Sequence, residues 1–194
     1  MIKMSGASLV IGSTGLIGKK LIFELAKKDS EVIVIARRSI SNLPENVSLL
    51  DINFDDFLEN GNLPSCDHIY ICLGTTIKKA GSQSEFKKVD FDYCVSFARK
   101  AREAGATKIS LVSSVGANPH TKNFYLKTKG EVEEEIKKID FQVINIFRPS
   151  LLLGRREESR FLEKIGQNLS SFINLFLIGY FRKYRSIKSS NVAY

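Results

Sequence analysis

The chain alternates short apolar runs with stretches in which apolar residues recur every three or four positions. Ser8 to Gly12 (SLVIG) is the first run, and Leu16, Ile17, Leu21 and Leu25 follow at helical spacing, with Lys20, Glu24 and Lys28 keeping the same rhythm. Glu31 to Ala36 (EVIVIA) is rich in β-branched residues, the composition of a strand covered on both faces by helices. Val47 to Leu50 and His68 to Leu73 (HIYICL) read as a third and a fourth strand. Between Ser84 and Ala104, Phe86, Val89, Tyr93, Phe97, Ala101 and Ala104 fall on one face of a single long helix, which Gly105 stops. Lys108 to Ser113 (KISLVS) predicts a fifth strand and Phe124 to Ile139 a helix rich in Glu and Lys. Phe141 to Phe147 (FQVINIF) predicts a sixth strand, ended by Arg148-Pro149.

Strands that alternate with helices at this spacing imply right-handed crossovers and a parallel sheet, so the expected fold is a doubly wound α/β domain with ligands at the carboxyl ends of its strands. A length of 194 residues and a hydrophobic content of 43% suit one domain with one sizeable core. The domain is expected to run over 1–194, with residues from about 150 onward forming a small substrate-side region. Ser170 to Phe181 is apolar but too short to span a bilayer as a helix, which points to a lid over the cleft or to an oligomer contact such as a homodimer. The aromatics Phe161, Phe172, Phe176, Tyr180 and Phe181 would suit a hydrophobic carbonyl compound, a small core or a dimer contact equally.

Composition narrows the function classes. The net charge of +8 is spread over Lys19-Lys20, Lys27-Lys28, Lys78-Lys79, Lys87-Lys88 and Lys137-Lys138 rather than gathered on one helix, which argues against nucleic acid as a partner. Cys66, Cys72 and Cys94 lack the spacing of a metal or redox motif and read as core or near-surface thiols, so no metal is expected. Met1 to Gly6 shows no signal-peptide pattern, from which a cytoplasmic location is expected.

The candidate chemistry begins where the first strand ends. In Gly12-Ser13-Thr14-Gly15-Leu16-Ile17-Gly18 the first glycine allows a sharp turn, the second a close approach of backbone to a pyrophosphate and the third tight packing of the helix on the sheet. Helix-start amides and the helix dipole then attract phosphate, which is the phosphate turn of a Rossmann dinucleotide site. Where an NAD-specific site would place Asp or Glu, the second strand runs into Arg37-Arg38, whose guanidinium forks match a 2′-phosphate. The expected cofactor is therefore NADP(H) in preference to NAD(H). Asp51, after the third strand, would meet the adenine edge or simply turn the chain. Leu73-Gly74-Thr75-Thr76 would bring backbone and hydroxyls to the cofactor.

Tyr125 and Lys129 are four residues apart, hence on one face of a helix. Beside a nicotinamide, Lys129 would hold ribose hydroxyls and lower the pKa of Tyr125, the proton donor or acceptor. Ser113 or Ser114, at the end of the fifth strand, would polarise a carbonyl oxygen.

With these parts in order, the chain resembles the atypical short-chain dehydrogenase/reductases, in particular the Tat-interacting-protein-type oxidoreductases and their bacterial relatives. The stretches that carry the resemblance are Cys72–Thr76 (CLGTT), Lys88–Tyr93 (KVDFDY), Leu111–Ala117 (LVSSVGA), Phe124–Glu133 (FYLKTKGEVE) and Phe147–Gly154 (FRPSLLLG). The resemblance implies an NADPH-binding Rossmann domain with Tyr125 and Lys129 as catalytic partners. It favours Ser114 over Ser113 as the site serine and sets Pro149, Leu151 and Leu152 beside the nicotinamide. The implied activity is hydride transfer to a carbonyl-like small molecule; the alternative is a cofactor-binding sensor with little or no turnover.

Overall fold

The computed structural model describes residues 6–28 and 31–150 together with the short pieces 152–153, 187–188 and 190–193. Six parallel strands form one sheet: β1 (Ser8–Ile11), β2 (Val32–Ala36), β3 (Val47–Asp51), β4 (His68–Ile71), β5 (Lys108–Val112) and β6 (Val143–Phe147), in the spatial order β3-β2-β1-β4-β5-β6. The register is in step across the centre, where Ile11 faces Ile35 on one side and Ile71 on the other. The chain builds outward from β1 to β3 and then crosses back to β4 on the far side of β1. This reversal leaves a crevice above the carboxyl ends of β1 and β4. The expected doubly wound α/β architecture is what the chain adopts.

Each strand run forms because both sheet faces are covered. On one face, Leu21, Ile22 and Leu25 of α1 (Leu16–Ala26) pack with Val10, Val32 and Val34. On the other, α5 (Tyr93–Glu103) and α6 (Phe124–Lys137) bring Phe97, Ala101, Val132 and Ile136 onto Ile11, Ile35, Ile71 and Leu111. Ala98 and Ala101 are fully buried, so small side chains let α5 approach the sheet closely.

Several boundaries differ from the sequence expectation. The single helix expected over Ser84 to Ala104 is interrupted: α4 (Gln83–Lys87) leads into a π-helical turn (Lys88–Asp92), and α5 follows. The Tyr93 amide reaches back five residues to the Lys88 carbonyl, so one extra residue is accommodated and Asp90 turns inward, fully buried. A helix absent from the expectation, α2 (Phe54–Asn60), is capped by the Asn53 side chain, which accepts from the amides of Asp55 at 2.9 Å and Asp56 at 3.4 Å. A second, α3 (Ile77–Ala80), is capped by Thr76. β4 ends at Ile71 rather than Leu73, and β6 begins at Val143, leaving Phe141 buried in the turn before it. The piece β7 (Leu152–Leu153) pairs in parallel with β8 (Ile187–Lys188), and α7 (Ser190–Ala193) follows. Ser170 to Phe181, Phe161 and Leu151 lie outside the described residues.

Candidate functional site

The glycine turn is shaped by steric necessity. Gly12 has φ +85°, and a Cβ there would stand 2.3 Å from the Cys72 carbonyl carbon, so the turn is pressed against the end of β4. A Cβ on Gly18 would stand 2.3 Å from the Gly12 oxygen, which fixes the start of α1 on the turn itself. Gly15 is the N-cap of α1 and brings no capping side chain, leaving helix-start amides for an external acceptor. Ser13 is buried, Thr14 and Gly15 are exposed, Leu16 is half-buried and Ile17 belongs to the core.

Past the end of β2, the exposed guanidinium of Arg37 lies 5.4 Å from the centroid of the Phe54 ring. Arg37, Asp51, Ile52, Asn53, Phe54, Asp55 and Tyr93 surround a cleft of about 350 Å³. Arg37 and Asp51 are thus brought together at one cleft. Arg38 is exposed and does not line the cleft. Ile52, Asn53 and Phe54 were missed, although the Asn cap followed by two acidic residues was a legible helix start. The Asp51 carboxylate accepts from Ser39 Oγ at 3.1 Å.

At the carboxyl end of β4, Leu73 is buried and Gly74 exposed, and the Thr75 amide donates to Asp90 Oδ2 at 2.8 Å. Lys129 Nζ lies 2.7 Å from Asp90 Oδ1, with side-chain exposures of 7% and 0%. That oxygen makes no aligned hydrogen bond and is met by the charge of Lys129. Burial pulls the Lys129 ammonium down, but the attraction of Asp90, with help from Cys94 and Tyr125, holds it above the usual lysine value. Gly74 adjoins the pair: a Cβ there would be 3.6 Å from Asp90 Oδ1 and 3.9 Å from Lys129 Nζ. Asp90 is a site residue that the sequence reading did not find.

Tyr125, Lys129 and Glu133 follow one another at four-residue intervals along one face of α6. The half-buried Tyr125 ring leans on Phe86, centroids 5.7 Å apart. Glu133, 2% exposed, accepts from Ser113 Oγ at 2.5 Å and from Arg148 Nε at 2.9 Å, and Arg148 Nη2 pairs with its second oxygen. The Ser113 hydroxyl is therefore committed to Glu133. Among the described residues, Ser114 Oγ makes only a long contact of 3.4 Å, to the Val115 carbonyl, and it is half-buried. Beyond β6, the Val115 amide donates to the Pro149 carbonyl at 3.0 Å, which fastens the Pro149 segment beside the loop after β5. Of the next residues, Leu152 is placed as backbone in β7. Burial pushes the Cys72 and Cys94 thiols up to about 12, in keeping with a packing role.

Residues 8–176 match the profile of the NAD dependent epimerase/dehydratase family. The chain belongs to that family. Epimerase/dehydratase relatives include the protein FMP52, mitochondrial, of Lodderomyces elongisporus, 36% identical over 169 residues, 81% of this chain and 71% of the relative. The protein HTATIP2 of Rattus norvegicus is 35% identical over 165 residues, 81% of this chain and 68% of the relative. The fold is shared with the human epimerase family protein SDR39U1 (isoform2), solved with NADPH, at a TM-score of 0.67 and 19% identity, covering 96% of this chain and 67% of the other. The resemblance to atypical short-chain dehydrogenase/reductases of the Tat-interacting-protein type holds.

The expected cytoplasmic location is corrected by these relatives: FMP52 proteins, including those of Lodderomyces elongisporus, are named as mitochondrial. Lack of a secretory pattern does not discriminate between the cytoplasm and an organelle, so that expectation rested on a test blind to the difference. Among the described residues, no helix is long and apolar enough to cross a membrane.

Proposed function

We propose that this epimerase/dehydratase-family protein is an NADPH-dependent reductase of carbonyl-like small molecules. The reading is carried by one convergence. The Gly74–Thr75 turn, Asp90 and Lys129 meet at the carboxyl end of β4, and Tyr125 stands one helical turn before Lys129 on the same face.

The residues present fit a dinucleotide. The turn from Gly12 to Gly18 leaves a cradle that side chains would fill, and the uncapped start of α1 offers amides to a pyrophosphate. Asp51 and Ile52 border the cleft where an adenine would rest, and Arg37, steadied over Phe54, supplies a guanidinium for a 2′-phosphate. Leu73, Gly74 and Thr75 would line the inner half of the site, with Pro149 near the nicotinamide. When bound, the nicotinamide supplies the hydride. Lys129, an ammonium with three donors, spends one toward Asp90 and keeps others for ribose hydroxyls and Tyr125. Tyr125 gives its proton to the carbonyl oxygen, and Ser114, whose hydroxyl is not locked by Glu133, donates a hydrogen bond to the same oxygen.

The deciding experiment is a calorimetric titration with NADPH and NADH, repeated with Arg37→Ala and Tyr125→Phe. NADPH preferred over NADH, with the preference lost in Arg37→Ala, is expected. Tyr125→Phe should keep the affinity and lose carbonyl turnover. Binding of neither nucleotide would overturn the reading.

A further inference from the structure

Asp90 is charged, wholly buried, and placed by a break in helix geometry that costs regular hydrogen bonding. Such a residue needs an explanation, since a buried carboxylate is tolerated only when its oxygens are satisfied. Its two oxygens face two different parts of the candidate site: Oδ2 takes the Thr75 amide at 2.8 Å, and Oδ1 faces the Lys129 ammonium at 2.7 Å. The first partner belongs to the turn after β4 and the second to α6, elements whose sequence positions are more than fifty residues apart.

We propose that Asp90 is a positioning residue: it serves as the counter-ion of Lys129 and ties the Thr75 turn to the Tyr125/Lys129 helix, so that the dinucleotide and the proton-transfer group are set by one carboxylate. The inference rests on the reductase reading above and adds a residue to it. Without Asp90, Lys129 would be a buried ammonium with no opposite charge, and a buried lysine in that position gives up its proton readily. With it, the ammonium persists at the pH where the site works, and its remaining donors stay available beside Gly74.

The groups that face Lys129 are Asp90 on the π turn, Cys94 on α5 and Tyr125 on α6, with Cys72 and Asp92 acting on Cys94 in turn. The Cys94 thiol, pushed up to about 12 by burial, stays protonated throughout an assay near neutrality. Among the described residues, Asp90 is therefore the anion that balances the lysine there. Asp90→Asn is the informative change, because it removes the charge while keeping an oxygen for the Thr75 amide.

The test is NADPH affinity by calorimetry from about pH 7 to about pH 9 for the wild type, Asp90→Asn, Lys129→Met and the double variant. The wild type should bind with little pH dependence. Asp90→Asn should bind about tenfold more weakly at the low end and lose further affinity as pH rises, because the stranded lysine deprotonates within the window. Lys129→Met should be weak and flat. The double variant should match Lys129→Met, because Asp90 acts through a group already gone. If Asp90→Asn does not fold, the comparison of the double variant with Lys129→Met decides, since both buried charges are removed there. Wild-type affinity in Asp90→Asn, or a double variant clearly weaker than Lys129→Met, would overturn the inference. Absence of nucleotide binding by the wild type would instead remove the reductase reading and this inference with it.

Discussion

Lys129 and Asp90 face each other at 2.7 Å with almost no access to water. A buried pair of this kind adds little net stability compared with an apolar pair, yet losing one member is costly because the other charge is stranded. Lys129→Met is therefore expected to lower unfolding free energy by about 3–5 kcal/mol. Urea unfolding at neutral pH measures it, and a loss within about 0.5 kcal/mol would mean that Asp90 is not stranded by the loss of the lysine.

The two adjacent serines should separate by phenotype. Ser113 is bonded to Glu133 inside the fold, so Ser113→Ala should cost about 1 kcal/mol of stability and little turnover. Ser114→Ala should leave the melting temperature in place and reduce turnover about a hundredfold. Steady-state kinetics beside thermal melts would show it; the reverse pattern would move the oxygen-polarising role to Ser113.

Gly18→Ala should fail at the glycine turn. The added carbon would stand 2.3 Å from the Gly12 oxygen, and that oxygen is backbone that cannot swing aside. Dinucleotide affinity should fall about tenfold or more, with stability down by about 2 kcal/mol. Near-normal affinity would show that the turn can open without consequence.

His68 should make the fold sensitive to mild acid. Its ring accepts or donates at Ser110 Oγ over 2.9 Å, and burial, with a smaller push from Lys108, lowers its pKa from 6.5 to about 4. The unfolded chain binds the proton first, so stability is present above about pH 6.5 and declines as pH falls toward 4, by roughly 2–3 kcal/mol at most. Denaturant titrations from about pH 7 to about pH 4.5 should show that decline in the wild type and a shallower one in His68→Gln. Equal slopes would assign the acid sensitivity to other groups.

The six strands were legible because each is a local run of β-branched or aliphatic residues, and the glycine turn because its spacing is contiguous. Arg37 and Asp51 were each legible at a strand end, and they come together because Arg37 follows β2 and Asp51 ends β3, side by side in the parallel sheet, where Ala36 faces Asp51. Asp90 was not. In Lys-Val-Asp-Phe-Asp an acidic residue reads as a solvated helix position, and a constant helical period assigns the inward face to Val89 rather than to Asp90. Glu133 was hidden among Glu131, Glu134 and Glu135, although its distance of four residues from Lys129, on the face already chosen for Tyr125, was a usable signal. Boundaries such as the start of β6 were set by pairing of Val143 with Lys108, a tertiary event that no local run announces.

The π turn from Lys88 to Asp92 has a consequence for how this chain can vary. It works as a phase shifter between two rotations: Phe86 upstream is timed to the ring of Tyr125, and Phe97 downstream is timed to the sheet. Deleting one residue there would restore an unbroken helix and turn one half by about 100° against the other. Either the aromatic wall beside Tyr125 or the apolar face on the sheet would then point the wrong way. Apart from Asp90, substitutions within those five positions can be absorbed one by one, whereas a change in their number cannot.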